Sequence, residues 1–385
     1  IKLCLSKKTP PGTPVAASSP RKLSSPNVSK PPGKKNPPWR TFSPSYRRDT
    51  HADSDEDTGR RSSFNPNIPI EKACPILVKK LNDPKCLLSE EESIDLLTTC
   101  IAYGEENAKR IKGKDAIIVI GNTGAGKSTF VNYLAGCDMT FKEIKRVGRK
   151  TTRKVLVVKP TAEGGKMDEL MPIGHTKHSK TFMPHIETTA QGLTYCDCPG
   201  FLDNRGAEIN IANAVNIRRA LSQASGLKVI ILINRYSLLA DKGRGLQEMI
   251  RICSHLFSST KNIERYQKSI LLGVSKVSPA DEEFDSERLK EDMIEDMPQI
   301  VEVLAKRVFF YDPLDRELDG GWKRTECLQE ISKLQPLQHP ARIFKTVLTD
   351  SDEQALLNIA DKLQQKINKL LKAGKVKDAS KAYHH

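Results

Sequence analysis

The residues Gly121-Asn122-Thr123-Gly124-Ala125-Gly126-Lys127-Ser128-Thr129 fit the pattern G-x-x-x-x-G-K-S, which cradles phosphate. Gly121, Gly124 and Gly126 let the backbone curl so that several N–H groups point inward at a β-phosphate. Lys127 supplies a point charge to the β/γ oxygens, and Ser128 offers its hydroxyl to Mg²⁺. A chance match in a glycine-rich turn is the bland alternative. The flanks argue against it. Ala116-Ile117-Ile118-Val119-Ile120 reads as a buried parallel strand, and Lys127 to about Ala135 reads as a helix whose positive dipole end faces the same phosphates.

A second pattern follows about seventy residues later, where Leu193-Thr194-Tyr195-Cys196-Asp197-Cys198-Pro199-Gly200-Phe201 ends a strand in D-x-P-G. Asp197 can hold Mg²⁺ through a water, and the Gly200 N–H can reach a γ-phosphate. With both motifs in place, residues 113–336 resemble the GTPase domains of the translation-factor-related P-loop class. Within that class the chain is similar to septins, dynamin-like proteins and the AIG-type GTPases.

That resemblance implies an α/β three-layer P-loop NTPase sandwich, Mg²⁺ and GTP as ligands, and slow hydrolysis acting as an assembly or conformational switch. It implies a switch threonine that completes the Mg²⁺ shell. Thr181, sixteen residues before Asp197 in the stretch from Ile173 to Thr181, is the first candidate; Thr188, Thr189, Thr151 and Thr152 compete. Lys276, in Ser275-Lys276-Val277-Ser278, matches the lysine that stacks on the base. Ser278 stands where the family has the guanine-reading aspartate, which leaves an ATPase or unspecific NTPase as an alternative. Asp312, before Pro313, could substitute as the base contact or could simply form a turn. Phe201 replaces the water-positioning glutamine of other relatives. Hydrolysis then depends on His175 or His178, a backbone group, or a group from a second subunit in a homodimer or oligomer formed through the G domain. A nucleotide-dependent scaffold with incidental hydrolysis is the remaining alternative.

The elements that must position these residues alternate between strand and helix. Strands are expected at 115–120, 155–159, 193–197, 228–234, 269–275 and 307–311, and helices at 127–135, 207–224, 243–258, 286–305 and 324–334. This predicts a mostly parallel sheet covered on both faces, with ligand at the carboxyl ends of the strands. Residues 69–112 read as a helical lead-in: a short helix from Pro75, then one opened by a capping box of Ser89 and Glu92 and running to about Ile111. Residues 337–385 read as a helical extension, in which Leu356, Leu363 and Leu370 repeat at seven with Ala360 and Ile367 beside them. Coiled coil and docking on the domain both fit that stripe. The chain starts at Ile and ends without a helix stop, so a fragment is expected.

Residues 1–68 are rich in Pro, Ser, Lys and Arg and cannot bury enough apolar surface to order themselves. Five Ser/Thr-Pro steps, at Thr9, Thr13, Ser19, Ser25 and Ser43, suggest a phosphorylatable tail whose protein partners the sequence does not name; a featureless linker is the plainer reading. The first fifty residues carry eleven Lys/Arg against Asp49 alone, which is +10 of the net +15. The remainder is only mildly basic, so a nucleic-acid surface is not indicated. No apolar run approaches the roughly 20 residues that span a bilayer, and Ile1-Lys2-Leu3-Cys4-Leu5 reads as too short an apolar run for a signal peptide. The nine cysteines are scattered, without paired CxxC motifs, which argues against zinc and disulfides and for a reducing compartment, most simply the cytosol.

Overall fold

The computed structural model describes residues 70–83, 85–145, 151–174, 183–201, 206–239, 243–280, 284–295, 299–376 and 378. The expectations for the tail, Thr181, His175 and His178 lie outside them. In chain order the elements are α1 (Ile70–Ala73), α2 (Pro75–Asn82), α3 (Glu90–Ala108), β1 (Asp115–Ile120), α4 (Lys127–Ala135), β2 (Met139–Lys145), β3 (Thr152–Val158), β4 (His185–Thr188), β5 (Thr194–Asp197), α5 (Ala207–Gln223), β6 (Gly226–Asn234) and α6 (Arg235–Leu239). There follow α7 (Arg244–Leu256), α8 (Thr260–Arg265), β7 (Ile270–Ser275), α9 (Ser286–Ile294), α10 (Gln299–Ala305), β8 (Val308–Phe310), α11 (Arg324–Lys333), β9 (Leu337–Gln338), α12 (Pro340–Ile343) and α13 (Asp350–Lys372).

The central sheet has the order β4-β5-β1-β6-β7-β8, with β9 paired to β6. β5, β1, β6, β7 and β8 are parallel; β4 and β9 are antiparallel to their neighbours. The parallel strands are apolar on both sides because both sides are covered. In β1, Ala116, Ile118 and Ile120 pack into one core with α5, α7, α9 and α10 residues such as Leu221, Met249, Leu289 and Val301. Ile117 and Val119 face the other core, with Phe130 and Leu134 of α4 and Ile331 of α11. The result is a three-layer sandwich with a mostly parallel sheet.

Three expectations are corrected. The strand expected at 155–159 is β3, and it pairs with β2 in a separate two-stranded ribbon, Met139 opposite Val158 and Lys145 opposite Thr152. The ribbon rests on a small cluster of Cys137, Val158 and Ile173 and adds nothing to the central sheet. The helix expected at 286–305 is two helices, and the sequence places Pro298 between them, where a missing N–H and ring clash forbid continuation. The helix expected at 243–258 ends at Leu256; Ser259 caps α8 by accepting from the Asn262 N–H at 3.2 Å.

The flanking helices pack on α5. Ser89 and Glu92 form the reciprocal cap of α3, at 3.2 and 2.8 Å. Leu97 and Ile101 are buried with Ile209, Ile211 and Ala212 of α5, and Asn216 donates to the Cys100 carbonyl at 2.9 Å. α13 docks by its first turns: Asn210 Nδ2 donates to Asp352 Oδ1 at 3.3 Å, and Leu356 packs against the α3/α5 cluster. Beyond that, Leu363, Ile367 and Leu370 are half-buried and Ala360 is exposed. Among the described residues no helix is long and apolar enough to cross a membrane.

Candidate functional site

The parallel strands deliver their carboxyl ends to one side of the sheet, and the two motifs of the sequence meet there. The loop after β1 closes with Gly126 at φ +84°, a left-handed conformation that favours glycine. α4 then starts with Lys127, which is buried; its Nζ donates to the Gly121 carbonyl at 2.9 Å and the Asn122 carbonyl at 3.1 Å. The ammonium therefore sits against the curl of Gly121 to Thr129. Buried Asn132 of α4 accepts from the Leu170 and Met171 N–H groups at 2.7 and 3.0 Å and donates to the Met171 carbonyl at 2.7 Å. That side chain fastens the segment leading toward residues 175–182 onto the same helix.

The D-x-P-G loop lies directly on the phosphate loop. Cys198 N donates to the Val119 carbonyl at 3.3 Å, and Asn122 and Phe201 form a parallel bridge. Ser128 Oγ donates to Asp197 Oδ2 at 2.6 Å, and Asp197 is buried. Gly200 approaches Thr123 so closely that a Cβ there would stand 2.6 Å from the Thr123 nitrogen and 2.2 Å from its Oγ1. Phe201 packs against the core. Cys196 and Cys198 are buried with their sulfurs 4.0 Å apart. Their mutual hydrogen bond and burial hold the Cys198 thiol well above its ordinary range, so it stays neutral and offers no thiolate chemistry.

The far side of the site is built by β7 and β8. Ser275 Oγ donates to the Ala125 carbonyl at 2.7 Å, tying the end of β7 to the phosphate loop. Lys276 has φ +59°, and its Nζ lies 4.0 Å from where a Cβ on Gly124 would be. Desolvation lowers its pKa. Ser278 Oγ accepts from Arg316 Nη2 at 3.1 Å. Asp312 is buried, forms the turn, and bonds Arg316 Nε at 2.5 Å. Tyr133 of α4 donates to Asp315 Oδ1 at 2.5 Å, bracing this turn against the helix of the phosphate loop.

The structure thus brings together Gly121 to Thr129, Asp197, Gly200 and Lys276. It sets Thr188 and Thr189 apart from them. Thr188 pairs with Thr194 at the start of β5, whereas His185 pairs with Asp197 at its end, so Thr188 and Thr189 lie at the opposite end of the sheet. Thr152 stands opposite Lys145 at the end of the β2–β3 ribbon remote from Met139 and Val158. Three participants escaped the sequence reading. Ser275 occupies the first position of the base-site pattern and was legible there; Arg316 and the Tyr133–Asp315 pair carry no local signal.

Residues 116–285 match the family model described as 50S ribosome-binding GTPase. With the fold and loops above, this segment is a P-loop GTPase domain. No curated protein matches the chain. Among solved structures, it is similar to one from work describing dimerization as important for the GTPase activity of the chloroplast translocon components atToc33 and psToc159, at 14% identity over 63% of this chain and 90% of that chain, with a TM-score of 0.35. A dimerization-deficient mutant of Toc33 from Arabidopsis thaliana matches at 13% over 63% and 91%, TM-score 0.32. A member of an oligomerised bacterial dynamin pair, described as sensing and tethering membranes, matches at 14% over 80% of this chain and 62% of that one, TM-score 0.26.

Proposed function

We propose that the chain binds Mg²⁺–GTP at the carboxyl ends of its strands and hydrolyses it slowly, the loop after β5 responding to the γ-phosphate. The observation that carries this reading is the 2.6 Å contact of Ser128 Oγ with Asp197 Oδ2. It places a hydroxyl and a carboxylate, both hard oxygen donors suited to Mg²⁺, beside a loop built for phosphate. Ser128 and Asp197 would hold the ion, with Thr181 as the third protein group. When bound, Mg²⁺ neutralises charge on the β- and γ-phosphate oxygens.

In this reading the Lys127 ammonium exchanges its two carbonyl partners for phosphate oxygens, and the backbone N–H groups from Asn122 to Thr129 surround the β-phosphate. The Gly200 N–H faces the γ-phosphate, and Lys276 stacks on the base. Phe201 supplies no group that can orient water, which supports slow intrinsic turnover and faster turnover when a second copy completes the site in a homodimer or oligomer. We assign residues 113–336 to the G domain, together with β9 and α12, whose Leu337, Ile343 and Phe344 join its sheet and core, and the remaining helices on either side to flanking extensions. The scattered cysteines without paired CxxC motifs are the basis for placing the chain in a reducing compartment such as the cytosol. A second reading, a base-unspecific NTPase, is favoured by Ser278 alone.

Lys127→Ala tests the assignment. Removing charge-assisted bonds worth about 1.5–3 kcal/mol each should weaken a fluorescent GTP analogue at least about tenfold while the thermal melt still shows one folded transition. An unchanged dissociation constant would sink the phosphate-site reading.

A further inference from the structure

The base end of this site holds an inverted set of hydrogen-bonding groups. β7 and β8 run in parallel, with Gly273 beside Phe309 and Val274 beside Phe310, so the segments leaving their carboxyl ends are neighbours. Where an aspartate would present two acceptors, Ser278 presents a hydroxyl that already accepts from Ala280 N at 3.2 Å and Arg316 Nη2 at 3.1 Å. Asp312 does not fill the gap. It is 4% exposed, its Oδ1 accepts from Leu314 N at 3.3 Å, and its Oδ2 accepts from Arg316 Nε at 2.5 Å. The Arg316 side chain is the accessible member of the group, at 40% exposure.

We propose that Arg316 is the specificity-determining residue, selecting guanine by donating to its O6/N7 side, with Asp312 as its positioning residue. This rests on the GTP site described above. A guanidinium has five N–H donors and no acceptor; two are used on Asp312 and Ser278, so three remain. Guanine offers acceptors at O6 and N7, whereas adenine places an amino donor where guanine has O6. Donors meet acceptors in the first case and another donor in the second. An aspartate reader would sense N1 and the 2-amino group instead. The two modes therefore part company on purines that separate these features.

The test measures binding of GTP, ATP, ITP and 2,6-diaminopurine riboside triphosphate to the full chain. ITP keeps O6 without the 2-amino group; the diaminopurine keeps the 2-amino group and carries an amino group in place of O6. ITP is expected within about threefold of GTP, and ATP and the diaminopurine weaker by about tenfold to a hundredfold, the range of one charge-assisted bond. Arg316→Gln should draw all four to within about threefold of one another, and Arg316→Lys should keep part of the preference. Because Arg316→Gln leaves a buried carboxylate without its cation, the charge-neutral pair Asp312→Asn with Arg316→Gln is measured beside it, with thermal melts. Tight GTP and diaminopurine with weak ITP and ATP would overturn the inference in favour of an acceptor reading the 2-amino side. Equal binding of all four by the wild-type chain, or an O6 preference that survives in folded Arg316→Gln, overturns it too. Absence of any triphosphate binding, a result distinct from these, removes the site reading and this inference together.

Discussion

Gly200→Ala is the sharpest perturbation of the contact between the two phosphate-facing loops. Glycine is required here by approach. An added methyl would stand 2.2 Å from Thr123 Oγ1, 2.6 Å from its nitrogen and 2.7 Å from its Cα. The hydroxyl can rotate away; the nitrogen and Cα are backbone and cannot. Ordinary contact begins near 3.4 Å, so the loops must part by about 0.8 Å, which is 3.4 less 2.6. Overpacking of this kind costs about 1–3 kcal/mol, or about fivefold to a hundredfold in an equilibrium constant. If the Gly200 N–H faces the γ-phosphate, the cost falls on the triphosphate state, which needs the loops together, and spares the diphosphate state. Competition of GDP and a non-hydrolysable GTP analogue against a fluorescent nucleotide measures the ratio directly, with a thermal melt to show that the variant is folded. An unchanged ratio, or equal weakening of both ligands, refutes the assignment of this loop as the γ-phosphate sensor.

Thr181→Ala should weaken the GTP analogue while GDP affinity barely moves, because only the triphosphate gives the switch something to close on; equal weakening assigns Thr181 a structural role. Tyr133→Phe tests the brace under the base site through pH. Burial raises the Asp315 carboxyl, but the Tyr133 hydroxyl and the Arg324 N–H outweigh it and hold its pKa below the ordinary value. A depressed folded pKa gives stability that is present above the unfolded value, about 3.9, and lost as pH falls through the folded one. The melting-temperature gap between wild type and Tyr133→Phe should therefore shrink on going from neutral pH to about pH 3, and a gap that stays constant would show that Asp315 contributes no proton-linked stability.

What could be read from the sequence was whatever the chain encodes locally. β1 announces itself because both its faces are buried, so its residues form an unbroken apolar run. The phosphate loop follows it with no intervening choice of path, and Lys127, Ser128 and Asp197 come from motifs in which residue type and spacing carry the chemistry. The β2–β3 ribbon was missed as a unit because Thr140, Phe141, Lys142 and Glu143 show no alternation; β2 lies outside the sheet and has no fully buried residue to impose one. β4 and β9 are short antiparallel additions with too few residues for a pattern. Pro298 was a legible break inside the stretch read as one helix.

The base site shows where local reading must stop. Lys276 is found by its motif, and Ser278 is found only as a departure from it, so the sequence alone poses a deficit: one hydroxyl in place of a carboxylate. The natural remedy along the chain is another carboxylate, and Asp312 is the one at the end of the next strand. Folding decides otherwise, because a carboxylate this close to the sheet is buried and must be paired. Its partner is Arg316, one turn further on, and pairing aims the guanidinium at Ser278. The acceptor lost from one strand is thus answered by a donor from its neighbour. A donor at that place cannot do the aspartate's work on N1 and the 2-amino group, but it can do complementary work on O6. Base selection at this site is then a property of the β7–β8 pairing, and it would be altered by a change at Asp312 even though that carboxylate need never touch the nucleotide.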